Sequence, residues 1–191
     1  LGQSRMVLDL MDVTSWNEIV RLVGEAAAKA QPGEWIRGRG WHQEKWTSVP
    51  QPNVEGFPLH DALSKVSPNN PVILEHASGH ATYVNAKAME VAGITAATKS
   101  PAGGDILKDR AGRPIGVLRE TASDLAEDAL AASIAKRTPE ERAADARKVT
   151  DAAVQASLEK GVTSFQDAGE SFATVDVIKQ AAEQGALGIR L

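Results

Sequence analysis

The apolar run Val72-Ile73-Leu74-Glu75 follows Pro71 and leads, after a short polar stretch, into Asn85-Ala86-Lys87-Ala88-Met89. Four β-prone residues behind a proline make a buried strand. Asparagine ahead of alanine, lysine and methionine opens a helix. His76 and His80 then fall on the connecting loop, where a strand hands its side chains to a cleft. A chain with this pattern belongs to the α/β class.

The rest of the chain supports that class. Ser15-Trp16-Asn17-Glu18 is a capping box, with the serine hydroxyl on the third backbone N–H and the glutamate reaching back. Behind it, Trp16, Ile19, Val20, Val23, Ala27 and Ala30 share one helical face, and Gln31-Pro32-Gly33 stops the helix. Residues Glu34 to Gly38 read as a short strand. From Trp41 to Asn70 the periodicity is weak, which predicts a long loop with a short helix near His60 to Val66. Trp41 and Trp46 favour an ordered loop, because side chains this large are seldom left in solvent.

Two strand-like runs, Asp105 to Lys108 and Pro114 to Leu118, flank Asp109-Arg110-Ala111-Gly112-Arg113, and the pair predicts a β-hairpin with Glu120 just beyond it. A helix follows over 122–135. Thr138-Pro139-Glu140-Glu141 opens another that runs to Lys160, and Gly161 closes it. Val162 to Gln166 reads as a strand ending in Asp167, Phe172 to Gln184 as a helix closed by Gly185, and Leu187 to Leu191 as a last strand. Strand and helix in alternation favour a parallel sheet with right-handed crossovers.

Composition narrows the partners. The 191 residues are 42% hydrophobic, normal for a globular domain, and the net charge of −4 comes from interspersed charges with no basic stripe for nucleic acid and no polybasic membrane patch. No apolar run approaches the roughly 18 residues a membrane span needs. Small molecules are the expected partners. With no cysteine in the chain, any metal ligands must be histidines and carboxylates, and the composition fits a reducing compartment, the cytoplasm.

Several motifs can be set aside. His76 and His80 have the spacing of a metal pair on a helix, but Ser78 and Gly79 between them oppose a helix. Gly38-Arg39-Gly40 lacks the third glycine and the following helix of a dinucleotide site, which leaves the glycines a role in close backbone approach and Trp41 as a pocket wall or core residue. Ala77-Ser78-Gly79 lacks the first glycine of a nucleophile elbow. Glu120 and Asp167 both end apolar strands, the usual place for chemistry in barrels and open sheets, although an aspartate there also serves as a helix cap or turn residue. His76 and Asn85 either face a ligand or hydrogen-bond the loop backbone.

Taken with Gly40-Trp41-His42 upstream and Gly103-Gly104-Asp105-Ile106 to Gly116-Val117-Leu118-Arg119-Glu120 downstream, the stretch Pro71 to Ala88 resembles the middle of the amidohydrolase superfamily. The likeness is to family 3 of its metal-dependent members, the branch that includes N-substituted formamide deformylases, and it covers nearly the whole chain. The resemblance implies a partial (β/α) barrel segment with an inserted α+β subdomain containing the hairpin. Residues 1–34 would hold the first barrel helix, 35–120 the insertion and 121–191 a helix-strand-helix-strand segment. It implies hydrolysis of C–N bonds in amides, formamides or cyclic amides by a full-length relative that binds a divalent metal, zinc by expectation.

The family's His-x-His motif is expected before residue 1, and its lysine, two further histidines and aspartate after residue 191. The 191 residues are therefore read as a fragment without turnover and without a bound metal, associating with itself through exposed barrel edges. His42 stands where many relatives carry an acidic residue. Within the resemblance, His80 faces the substrate cleft and gives a hydrogen bond to a substrate oxygen, with Trp41, His76, Asn85, Glu120 and Asp167 as substrate-lining residues. The alternative is a stand-alone α/β binding module that holds a polar ligand in the loop from His76 to Asn85.

Overall fold

A computed structural model describes residues 1–191, which divide into two compact units, Leu8–Ser133 and the pair of segments Leu1–Val7 and Ile134–Leu191. In the first unit the elements are β1 (Leu8–Asp9), α1 (Trp16–Ala27), β2 (Ile36–Trp41), β3 (Asn53–Val54), β4 (Phe57–Pro58), α2 (Asp61–Val66) and β5 (Val72–His76). They continue with β6 (Ala81–Val84), α3 (Ala86–Val91), β7 (Gly104–Lys108), β8 (Pro114–Glu120) and all but the last two residues of α4 (Asp124–Ala135). Six strands form one mixed sheet in the order β1-β2-β5-β6-β8-β7. The first three run parallel and the other pairings are antiparallel.

Both faces of this sheet are covered. Strand alternation sends Val72, Leu74 and Val117 to one face, where they meet Trp16, Ile19 and Val23 of α1, and sends Ile73 and Leu118 to the other, against Ala88, Met89 and Ala126. Burial on two sides is why β5 reads as an unbroken apolar run. The predicted hairpin forms as β7 and β8, its turn held by Asp109 Oδ1, which accepts from the N–H groups of Ala111 and Arg113 at 2.9 Å.

Three expectations change. The stretch after Glu75 is not a loop leading to a helix: His76 completes β5, and Ala81 to Val84 return as an antiparallel strand between β5 and β8. The polar turn 77–80 is all that separates the two strands. At α1, Ser15 Oγ accepts from Glu18 N–H at 3.2 Å, but the Glu18 carboxylate accepts from Thr14 N–H at 3.4 Å, so the box closes one residue early. Third, the segment 41–70 carries more than the expected short helix, which forms as α2: it also holds a 3₁₀ turn at Gln43–Lys45 and the β3–β4 pair. Trp41 and Trp46 are buried within it, as their size requires.

The second unit is built on α5 (Pro139–Leu158) and α6 (Phe172–Glu183), with a 3₁₀ turn at Gln3–Met6. Thr138 and Glu141 form a complete capping box with Pro139 at the first turn. Gly161 and Gly185 lie at positive φ, 74° and 66°, just beyond the two helices. The strands expected at 162–166 and 187–191 reduce to a single parallel bridge between Ser164 and Arg190. A lone pair of short segments with no further neighbour has too few ladder hydrogen bonds to hold a sheet.

Candidate active site

The carboxyl ends of the parallel strands β2 and β5 lie side by side, and at the same end β6 begins and β8 stops. Open sheets bind ligands in such a crevice. His42, His76, His80 and Glu120 all gather there, four residues that the sequence spreads over positions 42 to 120.

His76 sits at the base of the cluster. Its ring is edge-on to buried Trp41 with centroids 4.6 Å apart, and tilted against His42 at 4.6 Å. Nδ1 accepts from Ser78 N–H at 3.1 Å and lies 2.7 Å from Ser78 Oγ, while Nε2 faces Gln43 Oε1 at 3.1 Å. Two donors on Nδ1 and an acceptor beyond Nε2 fix the proton on Nε2. Burial first, then the neighbouring rings of His42 and His80, hold the His76 pKa below its ordinary value. Gln43 and Ser78 were not singled out from the sequence as functional. Their only sequence signal is their position beside the strand ends.

His80 stands above, with its side chain 71% exposed, and its Nδ1 lies 3.1 Å from Glu120 Oε2. The backbones are laddered too, since Glu120 N–H donates to His80 C=O at 3.0 Å and His80 N–H to Ser78 Oγ at 3.2 Å. Glu120 is one of only two non-glycine residues at positive φ, at 50°. Such a backbone costs energy and persists where the surroundings impose it. Here the turn after β8 imposes it, through Ala122 N–H to Arg119 C=O and Ser123 N–H to Glu120 C=O.

The other expected site residues lie elsewhere. Trp41 is fully buried, and its Nε1 donates to Leu74 C=O at 2.8 Å, which makes it a floor beneath His76. Asn85 is fully buried at the opposite end of β6, about 17 Å along the chain from His80 at the strand rise of about 3.3 Å per residue. Its side chain caps α3 by accepting from Ala88 N–H at 2.9 Å, accepts from Val72 N–H at 3.0 Å, and donates to Ser67 and Asn70. Asp167 belongs to the second unit, where its Oδ1 accepts from Gly169 N–H at 3.0 Å. There it lines a cleft of about 510 Å³ with Arg142, Asp145, Glu170 and Thr174.

The cluster at the strand ends does not fit a metal ion. No three histidine or carboxylate side chains converge on one point. The ring nitrogens of His76 are engaged by Ser78 and Gln43, Nδ1 of His80 faces Glu120, and Nδ1 of His42 accepts from Glu44 N–H at 3.2 Å.

Residues 2–191 match the amidohydrolase family. The chain is 30% identical over 188 residues to YtcJ of Bacillus subtilis (strain 168), assigned to the amidohydrolases, an alignment that takes in 98% of this chain and 33% of YtcJ. It is 34% identical over 109 residues to the N-substituted formamide deformylase of Arthrobacter pascens, covering 57% of this chain and 19% of that enzyme. Among solved structures it shares its fold with an uncharacterized metal-dependent hydrolase from Pyrococcus horikoshii OT3. That likeness has a TM-score of 0.62 at 20% identity and covers 99% of this chain and 32% of the other. The chain spans a third or less of the length of the curated relatives it matches.

Proposed function

The chain belongs to the amidohydrolase family, and from that membership we propose that it is the substrate-facing part of a metal-dependent hydrolase of C–N bonds in amides, formamides or cyclic amides. One observation carries the reading: the family match runs over residues 2–191, and the polar cluster of His76, His80 and Glu120 at the strand ends supports a substrate-facing role within it. The similarity to a formamide deformylase over 109 residues supports the choice of substrate class. The divalent metal of the full protein, zinc in our reading, is held by residues outside this cluster. Residues 162–166 and 187–191, joined by their parallel bridge, are read as barrel strands whose neighbours lie elsewhere in that protein.

On this view the 191-residue chain alone has no turnover. The test compares it with a family-length polypeptide containing it, on N-substituted formamides, simple amides and cyclic imides, with and without zinc or a chelator. Chelator-sensitive hydrolysis by the longer protein and none by the shorter is the expected result. Chelator-sensitive turnover that copurifies with the 191-residue species, or a longer protein inert on every C–N substrate, would overturn the proposal.

A further inference from the structure

Two histidines four residues apart meet opposite partners. The groups around His76 place its proton on Nε2, as its contacts with Ser78 and Gln43 require. The only hydrogen-bond partner of the His80 ring is the Glu120 carboxylate at Nδ1, and Nε2 of this exposed ring has none. An ionised carboxylate only accepts hydrogen bonds, so it draws the single proton of a neutral imidazole to Nδ1.

We propose that His80 and Glu120 form a dyad in which Glu120 is the positioning residue. It holds the neutral His80 ring as the Nδ1–H tautomer and turns the bare Nε2 toward the crevice as a hydrogen-bond acceptor. The consequence for specificity rests on the hydrolase reading above. An acceptor at that point pairs with the N–H of a primary or N-monosubstituted amide or formamide and has nothing to pair with in an N,N-disubstituted one. Neutral His80 is thus an acceptor for substrate nitrogen, and only the imidazolium form is able to donate to a substrate oxygen, the role that the family resemblance implied.

Two independent features make the pair more than a surface contact. The backbones of the two residues are tied by the Glu120 N–H to His80 C=O hydrogen bond, which fixes their separation without any side chain. The positive φ of Glu120 aims its side chain out of the strand direction, a conformation an L-residue avoids unless the fold imposes it.

Long-range ¹H–¹⁵N correlation spectra of the imidazole rings of the 191-residue chain, recorded where the rings are neutral, test the dyad. For His80 we expect a pyrrole-like Nδ1 and a pyridine-like Nε2, with His76 showing the reverse as an internal reference. In Glu120→Asn the side chain is too short to reach the ring, while asparagine tolerates the left-handed backbone, so the fold is kept. The His80 pattern should then revert to the Nε2–H form that free histidine favours. A wild-type His80 protonated at Nε2, or a pattern indifferent to the substitution, overturns the dyad whether or not the hydrolase reading stands.

The specificity arm uses the family-length protein with N-methylformamide and N,N-dimethylformamide. The wild type should prefer the N–H-bearing substrate by about tenfold in kcat/KM, the worth of one hydrogen bond, and both Glu120→Asn and His80→Ala should lose that preference. Equal rates in the wild type overturn the specificity claim while leaving the tautomer result in place. Hydrolysis of neither substrate overturns the specificity claim, whereas the hydrolase reading falls only if the longer protein is inert on simple amides and cyclic imides as well.

Discussion

The His76 pKa lies below its ordinary value because burial, and after it the rings of His42 and His80, oppose a charge on it. His60 is lowered likewise, by burial foremost, against the opposing pull of Asp61. When a base has a depressed pKa in the folded state, the unfolded chain takes up the proton first. The stability contributed is therefore complete above the ordinary histidine value of 6.5 and is lost as pH falls below it. Glu127 works in the other sense: burial raises its carboxyl above 4.5, so its contribution is lost as pH rises through that raised value. The denaturant midpoint should thus fall between about pH 7 and pH 5, and His76→Gln should flatten that slope. Equal slopes for the two proteins would contradict the assignment. At Asn85 the chemistry is one of satisfaction, not titration. A single carboxamide serves the cap of α3, the start of β5 and the backbone at Ser67 and Asn70, so a residue expected near substrate is spent on joining three segments.

Strand β8 is the element on which the site depends, because it ends in Glu120 and lies against the strand that begins at Ala81. Its third residue, Gly116, has φ 98°, and a Cβ there would stand 2.4 Å from Val84 C=O and 2.8 Å from His60 Cβ. Gly116→Ala therefore combines a disfavoured backbone with a clash against backbone and should cost about 3 kcal/mol. Gly33 has a similar φ of 83° with nothing within 4 Å, so Gly33→Ala meets the backbone penalty alone, about 1 kcal/mol. Chemical denaturation of the two variants checks the contrast, and equal losses would mean that the close packing at Gly116 is not what requires glycine there. The helices depend on more local devices. The Thr138 box closes fully while the Ser15 box closes through Thr14, yet both helices start where their caps stand.

At the scale of the whole molecule, apolar side chains remain uncovered in the second unit. Phe172 is 92% exposed and Leu1 70%, and the bridge between Ser164 and Arg190 has no ladder around it. In the first unit β1 is a two-residue edge strand. Unpaired edges and bare apolar groups favour association. The purified chain should show a mass that rises with concentration in light scattering and should bind a hydrophobic dye; a monodisperse monomer that binds none would refute this. No helix is long and apolar enough to cross a membrane, so that surface is not explained by a helical span. What the amino-acid sequence determined by itself was whatever a turn of chain can enforce. The serine, threonine and asparagine caps, the glycine stops at Gly161 and Gly185, and the hairpin around Asp109 each join groups only a few residues apart. Tertiary structure decided the rest. Whether Ala81 to Val84 is loop or strand depends on β5 and β8 lying on either side of it, and 162–166 makes no strand because its one strand-like contact is the bridge from Ser164 to Arg190. His80 meets Glu120 across a separation of 40 residues, through a sheet register that no local pattern encodes. Short-range hydrogen bonds are written in spacing, whereas cross-strand pairs exist only once the sheet has chosen its order.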